Sequence, residues 1–344
     1  MFKFKLSTIV ALALAWSSAL AVEEDPFCPC NSFSIESQLA RIIGMAYDPK
    51  GPKADFAQAN EIFECYAWKD LQYDLTKSGI IHRILKKLHW STPRALVGRC
   101  GRRSDSCVVS FSGAANFDMV AGILDYGPTN LTITPSGSIT EADDSSPEAM
   151  TYSFHASYWE VYKTMRSQVG DTMLETLSGC KDIVVTGHSI GSSMADLWHW
   201  EHQHLPVREI TIGQNPAWFG TPPNLGCRGK RVVSEEDPIP YLRPFVDKQG
   251  RLIRHGLLPM QLLRKLTEEE KSTPATWVAE DLSPCDENEP MDPNCLESGC
   301  RPYGVHYNWV VMNRIDEHQA SAYMKASDSA FDMTLPHQGM ANVI

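Results

Sequence analysis

The sequence has no apolar run long enough to span a membrane. The apolar stretch from Leu6 to Trp16 is much shorter than the roughly 20 residues that a bilayer-spanning helix needs, and no later run approaches that length. Two lysines precede this stretch and Ala19-Leu20-Ala21 follows it, which is typical of a secretory signal peptide and its cleavage site. We therefore expect residues 1–21 to be removed and the remaining chain to be exported, without a transmembrane segment.

Positive charge is also scarce. The chain has 31 Lys and Arg against 42 Asp and Glu, a formal net charge of −11, which becomes −13 once the two lysines of residues 1–21 are lost. Such a surface repels nucleic acid and anionic membranes, so we expect no nucleic-acid partner. Lys and Arg are absent altogether between Ser104 and Tyr162, a segment that contains eight acidic residues. These acids predict either an acidic rim around a ligand site or an ordinary solvated loop.

The cysteines lack the paired C-x-x-C spacing of a zinc site, and we expect neither a metal nor a cofactor. All ten lie after residue 21, and an even number in an exported chain favours disulfides. The sequence leaves their pairing open, and one arrangement would join Cys28 and Cys30 to the cluster between Cys285 and Cys300. The segment 267–300, rich in Pro, Asp and Glu, predicts a long surface loop held by disulfides. The sequon Asn130-Leu131-Thr132 predicts a glycosylated surface loop.

No long Gly/Ser/Pro linker or internal repeat divides the chain, so we expect one α/β domain over residues 22–344. Apolar residues recur at helical spacing over 34–47 and 55–68, which predicts a helical N-terminal layer over about residues 22–95. Short β-branched runs then alternate with a helical pattern at residues 158–173, which indicates a mostly parallel central sheet flanked by helices. The predicted strands are Cys107–Phe111, Asp182–Thr186, Ile210–Ile212 and Arg231–Val233.

The stretch VVTGHSIGSS, from Val184 to Ser193, is the most informative in the chain. Ser189 stands between Gly187 and Gly191 where a short apolar strand gives way to a helical pattern, which predicts the sharp strand-to-helix turn called a nucleophile elbow. Side chains at the two glycine positions would collide with neighbouring backbone. The free amides at the start of the helix would point at the region beside the serine hydroxyl. The alternative is a plain Gly-rich turn.

A serine at such a turn becomes a nucleophile only with a histidine to accept its proton and a carboxylate to orient that histidine. Asp237 follows a strand-like run in VVSEEDPIPYL and is the carboxylate that we predict. Glu235 and Glu236 compete for this role. The Pro-Ile-Pro sequence after Asp237 ends the strand and fixes Asp237 at the start of the loop, which favours Asp237.

The histidine that we predict is His306, in GVHYNWV. It completes the chain order Ser, acid, His, which is the order of α/β-hydrolases. His255 and His318 compete for the role, and an ordinary packing or surface histidine is the alternative for His306.

These residues resemble the class 3 lipases, also called fungal-lipase-like α/β-hydrolases. Five blocks occur in the family's order: VVSFSGAAN at 108–116, SFHASYWEVY at 153–162, VVTGHSIGSS at 184–193, TIGQNPAWFG at 211–220, and SEEDPIPYL at 234–242 with HYNW at 306–309. The resemblance implies an α/β-hydrolase fold with its lipase core at about residues 105–311 and a C-terminal tail at 312–344. It also implies that Ser189, Asp237 and His306 form the catalytic triad, with no cofactor.

The resemblance further implies an oxyanion hole formed by the backbone amides of Ala114 and Ile190. Family members have Arg before the turn glycine and Ser or Thr after it, whereas this chain has Ser112 before Gly113 and Ala114 after it. An amide survives the loss of a side chain, but a hydroxyl that can brace the hole is missing. We therefore expect a working oxyanion hole with weaker support.

A lid helix follows the oxyanion turn in this family, and the matching stretch here is 116–124. Phe117, Val120 and Leu124 belong to an apolar stripe at helical spacing. A lid with this stripe would cover an apolar groove in water and open at a lipid surface, which favours long acyl esters. The alternative is a permanently buried core helix.

Together, the residues and the resemblance predict a secreted serine hydrolase that cleaves carboxylic esters through an acyl-enzyme. The expected substrate is a neutral acylglycerol, met at a lipid–water interface. Alternatives on the same scaffold are a feruloyl-type esterase, a phospholipase and a catalytically silent secreted binding protein. The last is disfavoured because all three triad positions hold competent residues.

Overall fold

The computed structural model describes residues 35–47, 66–75, 93–100, 105–113, 127–134, 137–142, 150–223, 229–237, 239–241, 253–254, 256, 260–265, 277–281, 322–323 and 326. Three α-helices have both ends within these residues, α1 (Ile35–Tyr47), α2 (Ala156–Leu177) and α3 (Ile190–Glu201), and there is a 3-10 turn at Ile239–Tyr241. Residues 322, 323 and 326 are also helical. None of the three α-helices combines the length and apolarity that crossing a membrane requires.

Thirteen strands, numbered in chain order, form two sheets in this part of the chain. The central sheet has the spatial order β1 (Tyr66–Gln72), β2 (Arg94–Cys100), β3 (Ser106–Phe111), β7 (Asp182–His188), β8 (Val207–Ile212), β10 (Gly229–Ser234), β12 (Met260–Lys265) and β13 (Trp277–Asp281). The second sheet has the order β11 (Ile253–Arg254), β9 (Trp218–Phe219), β6 (Met150–His155), β4 (Pro128–Ile133) and β5 (Ile139–Glu141).

The middle of the central sheet is parallel. Neighbouring strands pair in parallel from β3 through β7, β8 and β10 to β12. Antiparallel pairs flank this block, β1 with β2 and β2 with β3 on one side and β12 with β13 on the other. The carboxyl ends of parallel strands share one edge of a sheet, and ligand sites of open α/β sheets lie at that edge.

Side chains on the central strands alternate between two apolar cores. On β7, Ile183 and Val185 belong to the core on the side of α2 and α3, whereas Val184 belongs to the core on the side of α1. Ile42 of α1 is completely buried in that second core. Because helices cover both faces, the central strands are continuous apolar runs rather than half-polar ones, as the sequence indicates.

The predicted α/β-hydrolase fold is confirmed. All four predicted strands lie in the parallel block, where they form parts of β3, β7, β8 and β10. The helical pattern at residues 158–173 lies within α2, and α1 provides the N-terminal helix over most of the predicted stretch 34–47.

Three sequence predictions are wrong in part. Residues 66–68, predicted to end a helix, lie in β1, while 55–65 fall outside the described residues. The Trp68 ring packs directly on Gly98 of β2, so closely that a Cβ on Gly98 would lie 2.6 Å from the ring. This packing against β2 overrides the helical spacing of the sequence. Strand β13 lies inside the predicted loop 267–300 because it pairs with β12. The exposed Asn130 of the sequon lies in β4 and not in a loop.

The expectation of disulfides is met at one pair in the described part of the chain. Cys107 of β3 and Cys180, just before β7, are joined, with 6.0 Å between their Cα atoms. The arrangement that would join Cys28 and Cys30 to the cluster at 285–300 lies outside the described residues. The expected signal peptide also lies outside them.

A pair of substitutions in α1 tests its packing on the sheet. Ile42→Ala should lower the free energy of unfolding by about 2–5 kcal/mol, because Ile42 is fully buried and its loss leaves a cavity. Gly44→Ala on the same helix should raise it by up to about 1 kcal/mol, because that glycine is exposed and a Cβ there meets nothing within 4 Å. Urea unfolding measures the free energy of unfolding of both variants. Equal changes in the two would contradict the packing of α1 on the sheet.

Candidate active site

Ser189 occupies the turn between β7 and α3, where the backbone is strained. Its φ is 57° and its ψ is −127°, and it is the one non-glycine residue with a positive φ in the described part of the chain. A side chain strongly disfavours this conformation, so it persists only where the surrounding structure imposes it. Such strain is common at functional sites.

Two backbone contacts impose this turn. A Cβ on Gly187 would lie 2.1 Å from the carbonyl oxygen of Gly191, and a Cβ on Gly191 would lie 2.3 Å from the carbonyl oxygen of Phe111. Both distances are far shorter than any real contact, so only glycine fits at either position. The first turn of α3 is therefore packed directly against the ends of β7 and β3.

The start of α3 provides hydrogen-bond donors beside Ser189. Ile190 is the first residue of this 12-residue helix, so helix geometry gives its amide no acceptor within the helix. The helix dipole adds positive potential at the same point, which favours a developing negative charge. Ala114, the other predicted oxyanion donor, lies outside the described residues.

Asp237 lies just beyond β10 and is completely buried. Its Oδ1 accepts a hydrogen bond of 2.8 Å from the amide of Ile239, and its Oδ2 accepts one of 2.6 Å from the hydroxyl of Tyr323. These bonds fix the plane of the carboxylate. A buried charge held by several donors is suited to orient a partner at the same edge of the sheet.

The two competing acids turn away from this position. The Glu235 carboxylate accepts a 2.6 Å hydrogen bond from the amide of Lys265 on β12. Glu236 forms an ion pair with the Lys265 ammonium group, at 3.2 Å. Asp237 is therefore the one acid of the three that is buried.

Ser189 and Asp237 lie at the same edge of the sheet. Ser189 follows β7 and Asp237 follows β10, with only β8 between them, so about two strand spacings, roughly 10 Å, separate their backbones. Gly213, after β8, lies in between, and a Cβ there would be 3.2 Å from both Asp237 Oδ2 and the ring of His188. A backbone separation of this order is what an imidazole that bridges a serine and a carboxylate requires. His306 itself lies outside the described residues.

Tyr323 is a site residue that the sequence reasoning missed. It is helical and completely buried, and its hydroxyl also accepts a 3.2 Å hydrogen bond from the amide of Ser234. Residue 323 falls in the segment 312–344 that was expected to be a tail. No motif marks it, although a tyrosine among small apolar residues is a weak signal of a buried helix.

A second buried cluster lies behind the elbow. Asp196 of α3 and Glu209 of β8 are both completely buried and interact with each other. Asp196 Oδ2 accepts hydrogen bonds from the side chains of Gln214, at 2.9 Å, and Trp218, at 3.1 Å. Glu209 Oε2 lies 3.1 Å from Nδ1 of His199. Asp196 thereby connects α3 to the loop after β8, which contains Gly213.

Burial sets the proton occupancy of this carboxylate pair. Loss of solvation raises the pKa of Glu209 to about 8. Burial, and then the neighbouring Glu209 charge, raise the pKa of Asp196 well above its usual value. Two adjacent buried carboxylates are stable only if they hold a proton between them. A lone acid within the β-branched run VREITI was the available sequence signal for this pair.

The proposed lid residues Phe117, Val120 and Leu124 lie outside the described residues. Part of the surrounding acidic segment is described, and three of its eight acids are paired with lysines. Lys181 pairs with Asp105 at 3.0 Å, and Lys163 pairs with Glu141 and with Glu160, each at 2.7 Å. Lysines outside the segment thus neutralise these three acids, which weakens the interpretation of segment 104–162 as an acidic rim around a ligand site.

Comparisons with known proteins found a matching family model and similar solved structures. Residues 108–217 match the family model of Lipase (class 3). Similar solved structures include lipase II from Rhizopus niveus, with 14% identity over 78% of this chain and 89% of that chain and a TM-score of 0.47. A lipase from Rhizopus microsporus var. chinensis has 13% identity over 78% and 82%, with a TM-score of 0.46. A comparison with curated protein sequences found no match.

The carboxylate pair predicts a pH-dependent stability. The folded-state pKa of Glu209 is raised, so its contribution to the free energy of unfolding is complete below its unfolded-state pKa near 4.5. This contribution is lost as pH rises through the folded-state pKa of about 8. Asp196→Asn should flatten this decline, since the amide keeps the acceptor for Gln214 and donates to Glu209. Unfolding free energies from pH 5 to 8 measure the slope, about 1.4 kcal/mol per pH unit for each proton. The exposed Glu175→Gln is the control, and an Asp196→Asn slope equal to that of the control would contradict the prediction.

Tyr323→Phe should destabilise the fold by about 1.5–3 kcal/mol, because buried Asp237 loses a hydrogen bond to its charged form. Tyr73→Phe is a matched control. That tyrosine is also buried, but its hydroxyl contacts only the weak acceptor Sδ of Met194, at 3.5 Å, among the contacts described. Denaturant unfolding compares the two. Equal losses would mean that the bond to Asp237 contributes nothing beyond an ordinary buried hydroxyl.

Proposed function

We propose that this chain uses Ser189, Asp237 and His306 as its catalytic triad. Over residues 108–217 it belongs to the class 3 lipase family, and it is a lipase-like ester hydrolase. The observation that supports the assignment most directly is the strained turn at Ser189. A positive φ at a serine, enforced by backbone contacts at Gly187 and Gly191, has a cost that an ordinary turn would avoid by using glycine.

The proposed reaction is acyl transfer in two steps. His306 takes the Ser189 hydroxyl proton as the oxygen attacks the ester carbonyl carbon, and the resulting oxyanion receives hydrogen bonds from the amides of Ile190 and Ala114. The intermediate collapses, and the alcohol leaves with the proton from the imidazolium. Water then attacks the acyl-enzyme with the same histidine as base, which releases the carboxylic acid and restores Ser189. Asp237 orients the imidazole and stabilises its charged form.

Neutral acylglycerols are the proposed substrates. The apolar stripe at Phe117, Val120 and Leu124 supports a lid that covers an apolar groove in water and opens at a lipid surface. A feruloyl-type esterase would favour a polar, immobile lid, and a phospholipase would favour a basic rim. The segment 104–162 has no Lys or Arg, which speaks against a phospholipase.

Secretion is part of the same proposal. The pattern of residues 1–21 supports export, and the disulfide between Cys107 and Cys180 is compatible with an oxidising compartment outside the cytosol. A soluble exported esterase would meet its lipid substrate at an interface rather than within a membrane.

Ser189→Ala should lower kcat for ester hydrolysis by about 10⁴-fold or more, because no other group replaces the attacking oxygen. Ser193→Ala is the matched control, since it removes another buried serine hydroxyl, on α3, that has no hydrogen-bond partner within the described residues. The measurement is steady-state hydrolysis of soluble p-nitrophenyl esters, with circular dichroism to verify folding. Full activity in folded Ser189→Ala would refute the assignment.

The same assay identifies the histidine. His306→Ala should abolish turnover, while His255→Ala and His318→Ala should retain it. His318 is the alternative to test first, because it precedes Tyr323, the hydrogen-bond partner of Asp237, by only five residues. Loss of turnover in His318→Ala alone would move the general base to that position and leave Ser189 and Asp237 in place.

A substrate panel separates the candidate activities. Emulsified triacylglycerols of increasing chain length, phosphatidylcholine vesicles and methyl ferulate are offered to the purified exported protein. The proposal expects preference for triacylglycerols and a rise in rate when a neutral ester passes its solubility limit. Preference for either of the other substrates, or a smooth hyperbola through that limit, would contradict the lid and the lipase assignment.

A further inference from the structure

The turn after β3 has a support that the family resemblance does not provide. At the position where family members have Ser or Thr after the turn glycine, this chain has Ala114, which has no hydroxyl to brace the oxyanion hole. The residue before Gly113 is Ser112, whose side chain is buried. A serine here can reach the neighbouring strand from inside the turn.

Ser112 and Arg94 are joined by three hydrogen bonds. The amide of Ser112 donates to the carbonyl oxygen of Arg94 at 3.0 Å, which extends the ladder one residue past the last pair of β2 and β3, Ala95 with Phe111. The Ser112 hydroxyl donates to the same carbonyl at 3.1 Å and accepts from the Arg94 amide at 2.9 Å. The hydroxyl thus satisfies both backbone groups at the first residue of β2.

Arg94 is itself held in place. Its buried guanidinium Nη1 lies 3.5 Å from Oδ2 of Asp70 on β1. The turn is therefore connected through Ser112 and Arg94 to the two strands at this side of the central sheet. A short segment tied to two strands has much less freedom than one held only by its own chain.

The first turn of α3 packs on the backbone that Ser112 holds. A Cβ on Gly191 would lie 2.3 Å from the Phe111 carbonyl oxygen and 2.9 Å from the Ser112 carbonyl carbon. The Ile190 amide precedes this contact by one residue. Movement of the turn would therefore change the spacing between the Ile190 amide and the amides that follow Ser112.

We propose that Ser112 is a positioning residue for the oxyanion site, and that its hydroxyl replaces the brace missing at Ala114 by tying the end of β3 to Arg94. The inference rests on the proposed function and extends it. Ser112 touches no reacting atom. It acts by keeping the amides on both sides of the developing oxyanion at their working separation, and small misplacements of such groups are costly.

Ser112→Ala tests this, and Ser110→Ala is its matched control. Both serines are buried at the carboxyl half of β3 or just after it, but the Ser110 hydroxyl has no hydrogen-bond partner within the described residues. In hydrolysis of a soluble p-nitrophenyl ester, Ser112→Ala should lower kcat by about tenfold or more with KM within about twofold, since an oxyanion contact acts in the transition state. Ser110→Ala should match the wild type.

Two further measurements separate positioning from general stability. Affinity for an alkyl boronic acid, which forms a tetrahedral adduct with the serine, should fall in Ser112→Ala by the same factor as kcat/KM. Ser112→Thr, which keeps the hydroxyl, should restore much of the loss. If Ser112→Ala fails to fold, Ser112→Cys, similar in size but a weaker hydrogen-bonding group, takes its place.

The outcomes distinguish failure of the inference from failure of the proposed function. The inference would be overturned if the wild type hydrolyses the ester and the Ser112 and Ser110 variants have the same kcat and the same boronate affinity as each other. The proposed function would then remain intact. A rise in KM with kcat unchanged would also overturn the inference. Absence of ester turnover in the wild type would overturn the proposed function, and this inference with it.

Discussion

The site depends on the close approach of backbone to backbone at the elbow. Gly187, Gly191 and Phe111 meet at distances that leave no space for a side chain. Packed backbone cannot move aside as a flexible side chain can, so these contacts fix the start of α3 relative to the ends of β7 and β3. The unusual dihedrals of Ser189 are a consequence of where these three elements lie, and not of a local preference of the serine.

The supports of the site come from residues that are distant in sequence and close in space. Asp237 is held by its own loop and by Tyr323, the turn after β3 is held by Arg94, and the loop after β8 is held by Asp196 of α3. Each of these is a buried polar contact, which is stable only if every partner is present. The rigidity needed at the carboxyl edge is thus distributed over the whole sheet.

The parts that the sequence predicted are those with a short-range signal. The parallel strands appear as β-branched runs, and the turn at Ser189 appears as two glycines beside a serine, because each depends on neighbouring residues. Tyr323 and Glu209 had no comparable signal, since their partners lie on other elements. Residues 66–68 of β1 belong to a stretch with helical spacing, but the Trp68 ring packs on β2, and spacing along the chain does not register such a contact. Tertiary contacts decide such cases.

The disulfide between Cys107 and Cys180 has a consequence for cleavage of the chain by proteases. It joins two positions 73 apart in sequence, and the segment between them contains β4, β5, β6 and α2. Loop tips are where nicking concentrates, and a single cut between these cysteines would leave the two pieces covalently joined. The strand that precedes Ser112 and the strand that precedes Ser189 would then stay attached. A clipped molecule would therefore migrate as one species until it is reduced.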